Sequence, residues 1–176
     1  IVDCSGTIEP KRQVDVSANA MGTIVKLGVV EGRQVQEGDL LMEIDPSEYR
    51  AAVDALQASI RSSRADLELA TASLEKAEQD RQRAEKLFAE DLASQELVDN
   101  ARTSARIEKA RLEAARHRVQ QLEANLAKAR HDLGKVTITA PMTGVVTRLN
   151  VEEGENAIMG TLNNPGTVLL VIADLG

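Results

Sequence analysis

Two histidines, one cysteine and four methionines are the side chains in this 176-residue chain that suit a soft or borderline metal. Their spacing does not gather them. His117 and His131 stand two heptads apart, about 21 Å along a helix at ~1.5 Å per residue, and both fall at outward positions of the repeat described below. Met21, Met42, Met142 and Met159 are scattered through Val- and Gly-rich stretches, where methionine fills gaps in packing. Cys4 is alone, so the chain can form no internal disulfide and no cysteine-based zinc site. No Ser-His-Asp set, phosphate-binding loop or dinucleotide fingerprint is present. The carboxylates have a plain surface explanation and define no acid/base pair. The expectation is a non-enzyme with no catalytic residue, no metal and no cofactor, working through its surfaces.

Composition narrows what those surfaces meet. There are 21 Lys+Arg against 28 Asp+Glu, a formal net charge of -7. Tyr49 and Phe88 are the only aromatic residues. An acidic chain without aromatic faces lacks both the phosphate-neutralising and the base-stacking parts of a nucleic-acid binder. Hydrophobic content is still 43%, carried by Ala, Leu, Val and Ile, which suits thin helix seams and small β-modules. No run approaches the ~18 apolar residues of a membrane span, and no leader peptide is visible. The start at Ile1 and the apolar end at Val168–Leu175 suggest a piece of a longer polypeptide.

All four prolines and all eleven glycines lie outside residues 47–133. The expected order is therefore β segment, long helical insert, β segment. Asp45-Pro46-Ser47-Glu48 reads as an N-cap, Pro at the first helical position and Glu at the third, a capping-box variant. Leu133-Gly134 reads as a left-handed glycine stop. Two heptad tracks run between these signals. One passes through Val53, Ile60, Leu67, Leu74, Arg81 and Phe88, the other through Val98, Ala105, Leu112, Val119, Leu126 and Leu133. Paired antiparallel, 53 with 133 through 88 with 98, the residue numbers always total 186, so the turn must centre near residue 93, within Ala89–Ser94. A strict 3.5 period implies left-handed supercoiling, and alternating large and small seam residues allow close approach. Arg81 and Glu108 interrupt the seam in adjacent layers and are expected to face each other diagonally. The other charges read as a solvated face, since residues 47–133 hold 16 acids and 15 bases.

The flanks repeat each other. Ala18-Asn19-Ala20-Met21-Gly22 recurs as Ala140-Pro141-Met142-Thr143-Gly144, and Gly22, Gly32 and Gly38 lie 122 residues before Gly144, Gly154 and Gly160. Ile24-Val25-Lys26-Leu27 answers Val146-Thr147-Arg148-Leu149 with a one-residue adjustment at its start. After Gly160 the second copy has seven extra residues before Leu169–Asp174, which answers Leu40–Asp45. Matched glycines mark turns that a side chain would hinder. The reading is α+β: one quasi-symmetric β-sandwich module formed by both chain ends and split by a long antiparallel two-helix coiled-coil hairpin.

The split repeat resembles the biotinyl/lipoyl module. Carrier versions place a lysine between the halves in a Glu-x-Asp-Lys type sequence; here that place holds Glu43-Ile44-Asp45-Pro46, so the resemblance implies no carrier chemistry. A lipoyl-like module split by a hairpin resembles the periplasmic adaptors, or membrane fusion proteins, of tripartite efflux and type I secretion systems. Residues 14–45 and 135–174 would be the module halves, 46–134 the hairpin, and 1–13 a truncated connection to an absent β-barrel domain. Ala140-Pro141-Met142-Thr143-Gly144-Val145-Val146 is the clearest local motif, and Asn164-Pro165-Gly166-Thr167-Val168-Leu169-Leu170 looks most like the macrolide-efflux type, which serves an ABC transporter.

The resemblance implies partners and sites. Family adaptors that dock to TolC-type outer-membrane channels carry Arg-x3-Leu-x6-Ser at the hairpin tip, and Arg83, Leu87 and Ser94 match that spacing. Each also has an ordinary explanation: Ser94 as N-cap of the second helix, Leu87 as packing beside Phe88, Arg83 as a solvated charge. The family further implies an inner-membrane transporter, ABC rather than proton-driven, a homo-oligomer (commonly a hexamer), and a periplasmic location anchored by a segment outside this chain. The insertion at Thr161, Leu162, Asn163 and Asn164 would be a lumen-facing loop. The competing readings are a carrier domain of a multienzyme and a plain coiled-coil scaffold. The missing lysine and the large insertion oppose the first, and the matched glycines oppose the second.

Overall fold

The structure is a computed structural model and describes residues 10–160 and 166–174. Thr161, Leu162, Asn163 and Asn164 lie outside the described residues. The elements are β1 (Arg12–Ser17), β2 (Gly22–Leu27), β3 (Gln34–Val35), β4 (Leu40–Ile44), α1 (Ser47–Ala89), α2 (Gln95–Gly134), β5 (Thr137–Thr139), β6 (Gly144–Leu149), β7 (Asn156–Ala157) and β8 (Val168–Asp174). The chain divides into two compact units. One holds the residues up to Arg50 and those from Arg130 onward; the other is Ala51–Ala129.

The β unit is built from two four-stranded sheets, ordered β1-β8-β6-β3 and β5-β4-β2-β7. Each sheet takes two strands from each half of the repeat. Exchanging β1 with β5, β2 with β6, β3 with β7 and β4 with β8 turns one sheet order into the other, so the internal repeat is a two-fold in topology. Ladders are antiparallel throughout. Ile24 and Val146 are both buried, and a register shift follows each of them. The copies therefore align at the glycine offset, and the one-residue adjustment expected from sequence is not needed. All four positions of the two segments already differ by 122 residues, and both copies carry an irregularity in which two residues face one.

Between the sheets lies one core, with Ile24, Leu41, Met42, Ile44, Leu170 and Ile172 among its most buried members; Tyr49 and Leu133 pack against it. β1 begins at Arg12, two residues before the boundary expected at 14, because Arg12 and Gln13 pair with Asp174 and Ala173. Gly144 permits a close crossing: a Cβ there would lie 2.6 Å from the Ala173 carbonyl oxygen. Gly32 and Gly154 turn with φ of 82° and 91°, the left-handed region that favours glycine.

The helices span 43 and 40 residues, roughly 60 Å each. Their sequences hold neither breaker, and Ala, Leu, Glu, Arg and Gln favour helix. At the start of α1, Asp45 Oδ1 accepts the Ser47 N–H at 3.0 Å and the Ser47 hydroxyl at 2.6 Å. The first helical bond runs from Arg50 N to Pro46 O. The reciprocal half of a capping box does not form, because the Asp45 N–H already donates to Thr23 O. At the other end Gly134 stays helical and is not left-handed. There the chain tightens instead, with Lys135 N donating to Asp132 O.

Candidate functional site: the hairpin and its tip

Seam residues Val53, Ile60, Ala77, Ala84, Val98, Ala105 and Val119 are buried. Cross-helix ion pairs report the register. Arg64 meets Glu123 at 2.7 Å and Arg102 meets Glu85 at 2.9 Å, each within one residue of the antiparallel pairing read from the heptads. Two seam expectations change. Phe88 is 42% exposed while Leu87 is half-buried, so the track steps aside by one residue at its last layer, where the turn begins to bend the chain away. Arg81 does not meet Glu108. Its guanidinium donates to Glu85 on its own helix, and Glu108 accepts from Arg111. In each case the partner lies three or four residues along the same helix, the spacing that brings side chains together without reaching over the seam.

Glu85 is thus held by two guanidiniums. The Arg102 side chain bonded to it is the main reason its carboxyl sits below the usual carboxylate range, with Arg81 adding to the effect against partial desolvation.

The turn is residues 90–94. Leu92 N donates to Leu87 O at 2.8 Å and Asp91 N to Phe88 O at 3.1 Å. This is the paired closure of a Schellman motif, with Asp91 in the left-handed position at φ 56°. Ser94 opens α2: its Oγ accepts the Leu97 N–H at 3.3 Å, satisfying one of the orphan donors of a helix start.

The three residues matched to the docking motif all lie at this end of the hairpin. Arg83 is exposed and makes only a long 3.5 Å ion pair with Asp80. Leu87 is half-buried and Ser94 is exposed. The ordinary roles are therefore real for Ser94, as a cap, and in part for Leu87; Arg83 is a solvated charge. Neither role consumes the Arg83 guanidinium or the Ser94 hydroxyl proton.

Other chemistry-bearing residues do not converge. Among the described residues no three His, Cys, Asp or Glu side chains could hold a metal ion. His117 faces Gln120 at 3.2 Å. Met42 is in the core and Met142 packs against it, while Met21 and Met159 line a small pocket beside Tyr49. Among the described residues no helix is long and apolar enough to cross a membrane. Sequence reasoning missed Asp91 and Leu92 at the turn. It read Glu31-Gly32 and Glu153-Gly154 as matched turns but missed what their carboxylates do, which is to accept the Leu149 and Leu27 N–H groups at 2.8 Å each. The signal for that pair was available, since the two glutamates are 122 residues apart like the glycines beside them.

Comparison with known proteins agrees with this architecture. The family described as RND MFP, barrel-sandwich hybrid domain, matches residues 12–169. The chain is 39% identical over 154 residues to the pyoverdine export membrane fusion protein PvdR of Pseudomonas aeruginosa, covering 88% of this chain and 39% of that protein. It is 28% identical to the macrolide export protein MacA of Escherichia coli O157:H7, again over 88% of this chain and 42% of the relative. The crystal structure of MacA from Actinobacillus actinomycetemcomitans superposes with a TM-score of 0.87 at 30% identity, over 95% of this chain and 51% of that one. The chain thus spans about two fifths of the length of the curated relatives it matches. An interleaved double-sheet module interrupted by a helical hairpin, matched to that family over nearly all its length, identifies this chain as a member of the RND membrane fusion proteins.

Proposed function

We propose that the protein is a non-enzymatic periplasmic adaptor that joins an inner-membrane transporter to a TolC-type outer-membrane channel for drug efflux or secretion. The hairpin tip docks on the channel through Arg83, Leu87 and Ser94. The Arg83 guanidinium and the Ser94 hydroxyl offer hydrogen bonds to carbonyls at the channel's helix ends, and Leu87 offers an apolar contact. Copies of the intact protein, commonly six, assemble into a ring anchored at the inner membrane by a segment outside this chain. An ABC transporter is the proposed pump, on the resemblance of the closing strand region to macrolide-export adaptors. The pump supplies the energy.

The observation that carries this reading is the exposed Arg83 and Ser94 at the closed end of a hairpin inserted in a barrel-sandwich module. A carrier function has no support on this chain, because the position of the carrier lysine is Pro46, which leads directly into α1.

The test is site-specific crosslinking and efflux complementation in the full-length protein. Arg83→Asp, Leu87→Asp and Ser94→Arg each lower channel coupling by about tenfold or more, as hot-spot losses do. Ser94→Asp, which preserves the helix cap, separates docking from folding. Unimpaired coupling in all the variants removes the docking assignment.

A further inference from the structure

The apex carries a feature that the three motif residues do not explain. The turn at Asp91 presents Leu92 with 71% of its surface exposed, the most exposed large apolar residue described, and Phe88 and Leu97 nearby are 42% and 48% exposed. The hairpin's own seam does not use them; it closes on Ala84 and Val98. Between the flanking bases Lys86 and Arg102, the charge has one sign. From Leu87 to Ala101 the sequence has four acids, Glu90, Asp91, Glu96 and Asp99, and no base. All four are exposed, and among the described residues none is in an ion pair; Asp99 accepts only the Gln95 amide.

This charge selects the occupant. The tip of a second copy would bring the same four carboxylates, and like charges facing each other oppose association. A different protein with positive charge around an apolar cleft would be favoured by both terms. We infer that Leu92 is the apolar anchor of the tip, seated in an apolar cleft on the outer-membrane partner whose rim carries lysine or arginine. This rests on the docking function proposed above and adds to it the chemistry the partner's surface must have. An exposed leucine at the centre of a small contact carries binding energy when it is desolvated, while the surrounding charges govern encounter rate and salt dependence.

The experiment uses the full-length protein and the TolC-type channel purified from the same cells, with binding measured by surface plasmon resonance at low and high salt. Leu92→Ser weakens binding by about tenfold, mainly through faster dissociation, and Leu92→Met retains it. Glu90→Lys with Asp99→Lys slows association at low salt, and the unmodified protein binds less tightly as salt rises. Helix content and melting of Leu92→Ser stay unchanged, as its exposure requires. If Leu92→Ser binds like the unmodified protein while Arg83→Asp does not, the docking function stands and the anchor is overturned. If charge reversal and salt leave association unchanged, the basic rim is overturned. If the unmodified protein fails to bind, both readings fall. Self-association abolished by Leu92→Ser would assign the patch to a second copy and overturn the inference.

Discussion

Glu31 and Glu153 show how single residues join the two halves of the repeat. Each carboxylate crosses to the other half and accepts a backbone N–H at a strand end, Leu149 for Glu31 and Leu27 for Glu153. The clasp is reciprocal, so a backbone donor that would otherwise need water is satisfied in both copies by the same residue type. Gly144 sets the closest approach. Its φ is not left-handed, so its requirement is space rather than torsion. Gly144→Ala drives a methyl against the Ala173 carbonyl and Ile172 Cγ2, and is expected to cost about 2–3 kcal/mol, read as a lowered midpoint in chemical denaturation. At the hairpin tip, Arg83, Leu87 and Ser94 were singled out by matching the docking motif of the family the sequence resembles. Leu92 was not legible in this way, because a leucine in a turn looks the same in sequence whether it folds inward or outward.

The hairpin is set at the scale of elements. Its register was readable because a heptad repeat ties each seam position to one layer, and the ion pairs Arg64–Glu123 and Glu85–Arg102 fall on that register. Which charges pair was not readable: Arg81 pairs with Glu85 on its own helix, and Glu108 with Arg111. The Arg102–Glu85–Arg81 cluster gives the hairpin a pH response. Glu85 is held below the ordinary carboxylate range in the folded state, so its contribution is present above that ordinary value and is lost as the pH falls through the depressed one. Glu85→Gln is therefore less thermostable than the unmodified protein at neutral pH, and the difference closes in acid. Melting by far-ultraviolet circular dichroism at both pH values checks this. Equal melting at neutral pH would show that the cluster does not stabilise the hairpin.

Across the whole molecule, two units with separate cores share one chain. The β-module core draws on no residue of Ala51–Ala129. Tyr49 is the only tyrosine and packs against that core, its hydroxyl donating to Met21 O at 3.1 Å. Its fluorescence therefore reports the module alone, while circular dichroism is dominated by the helices. Val98→Asp buries a charge at a seam position only 2% exposed, at a cost of about 3 kcal/mol or more. The expected outcome is a lowered helical transition with the Tyr49 transition unmoved; a shared shift would show one cooperative unit. A long insertion is tolerable in such a module because closing a loop costs only slowly more with length, and antiparallel helices return the chain to where it left. The sequence by itself determined the three-part order, the antiparallel helix register and the two-fold repeat, because each is written as a period or an offset that survives without coordinates. Tertiary structure alone decided that the halves interleave across both sheets, that Phe88 leaves the seam, that Arg81 turns to Glu85, and that Leu92 stands in solvent. The first outcome depends on residues far apart in the chain; the others are choices among neighbouring partners and faces, made by the hairpin packing and its turn, and no period or offset encodes them.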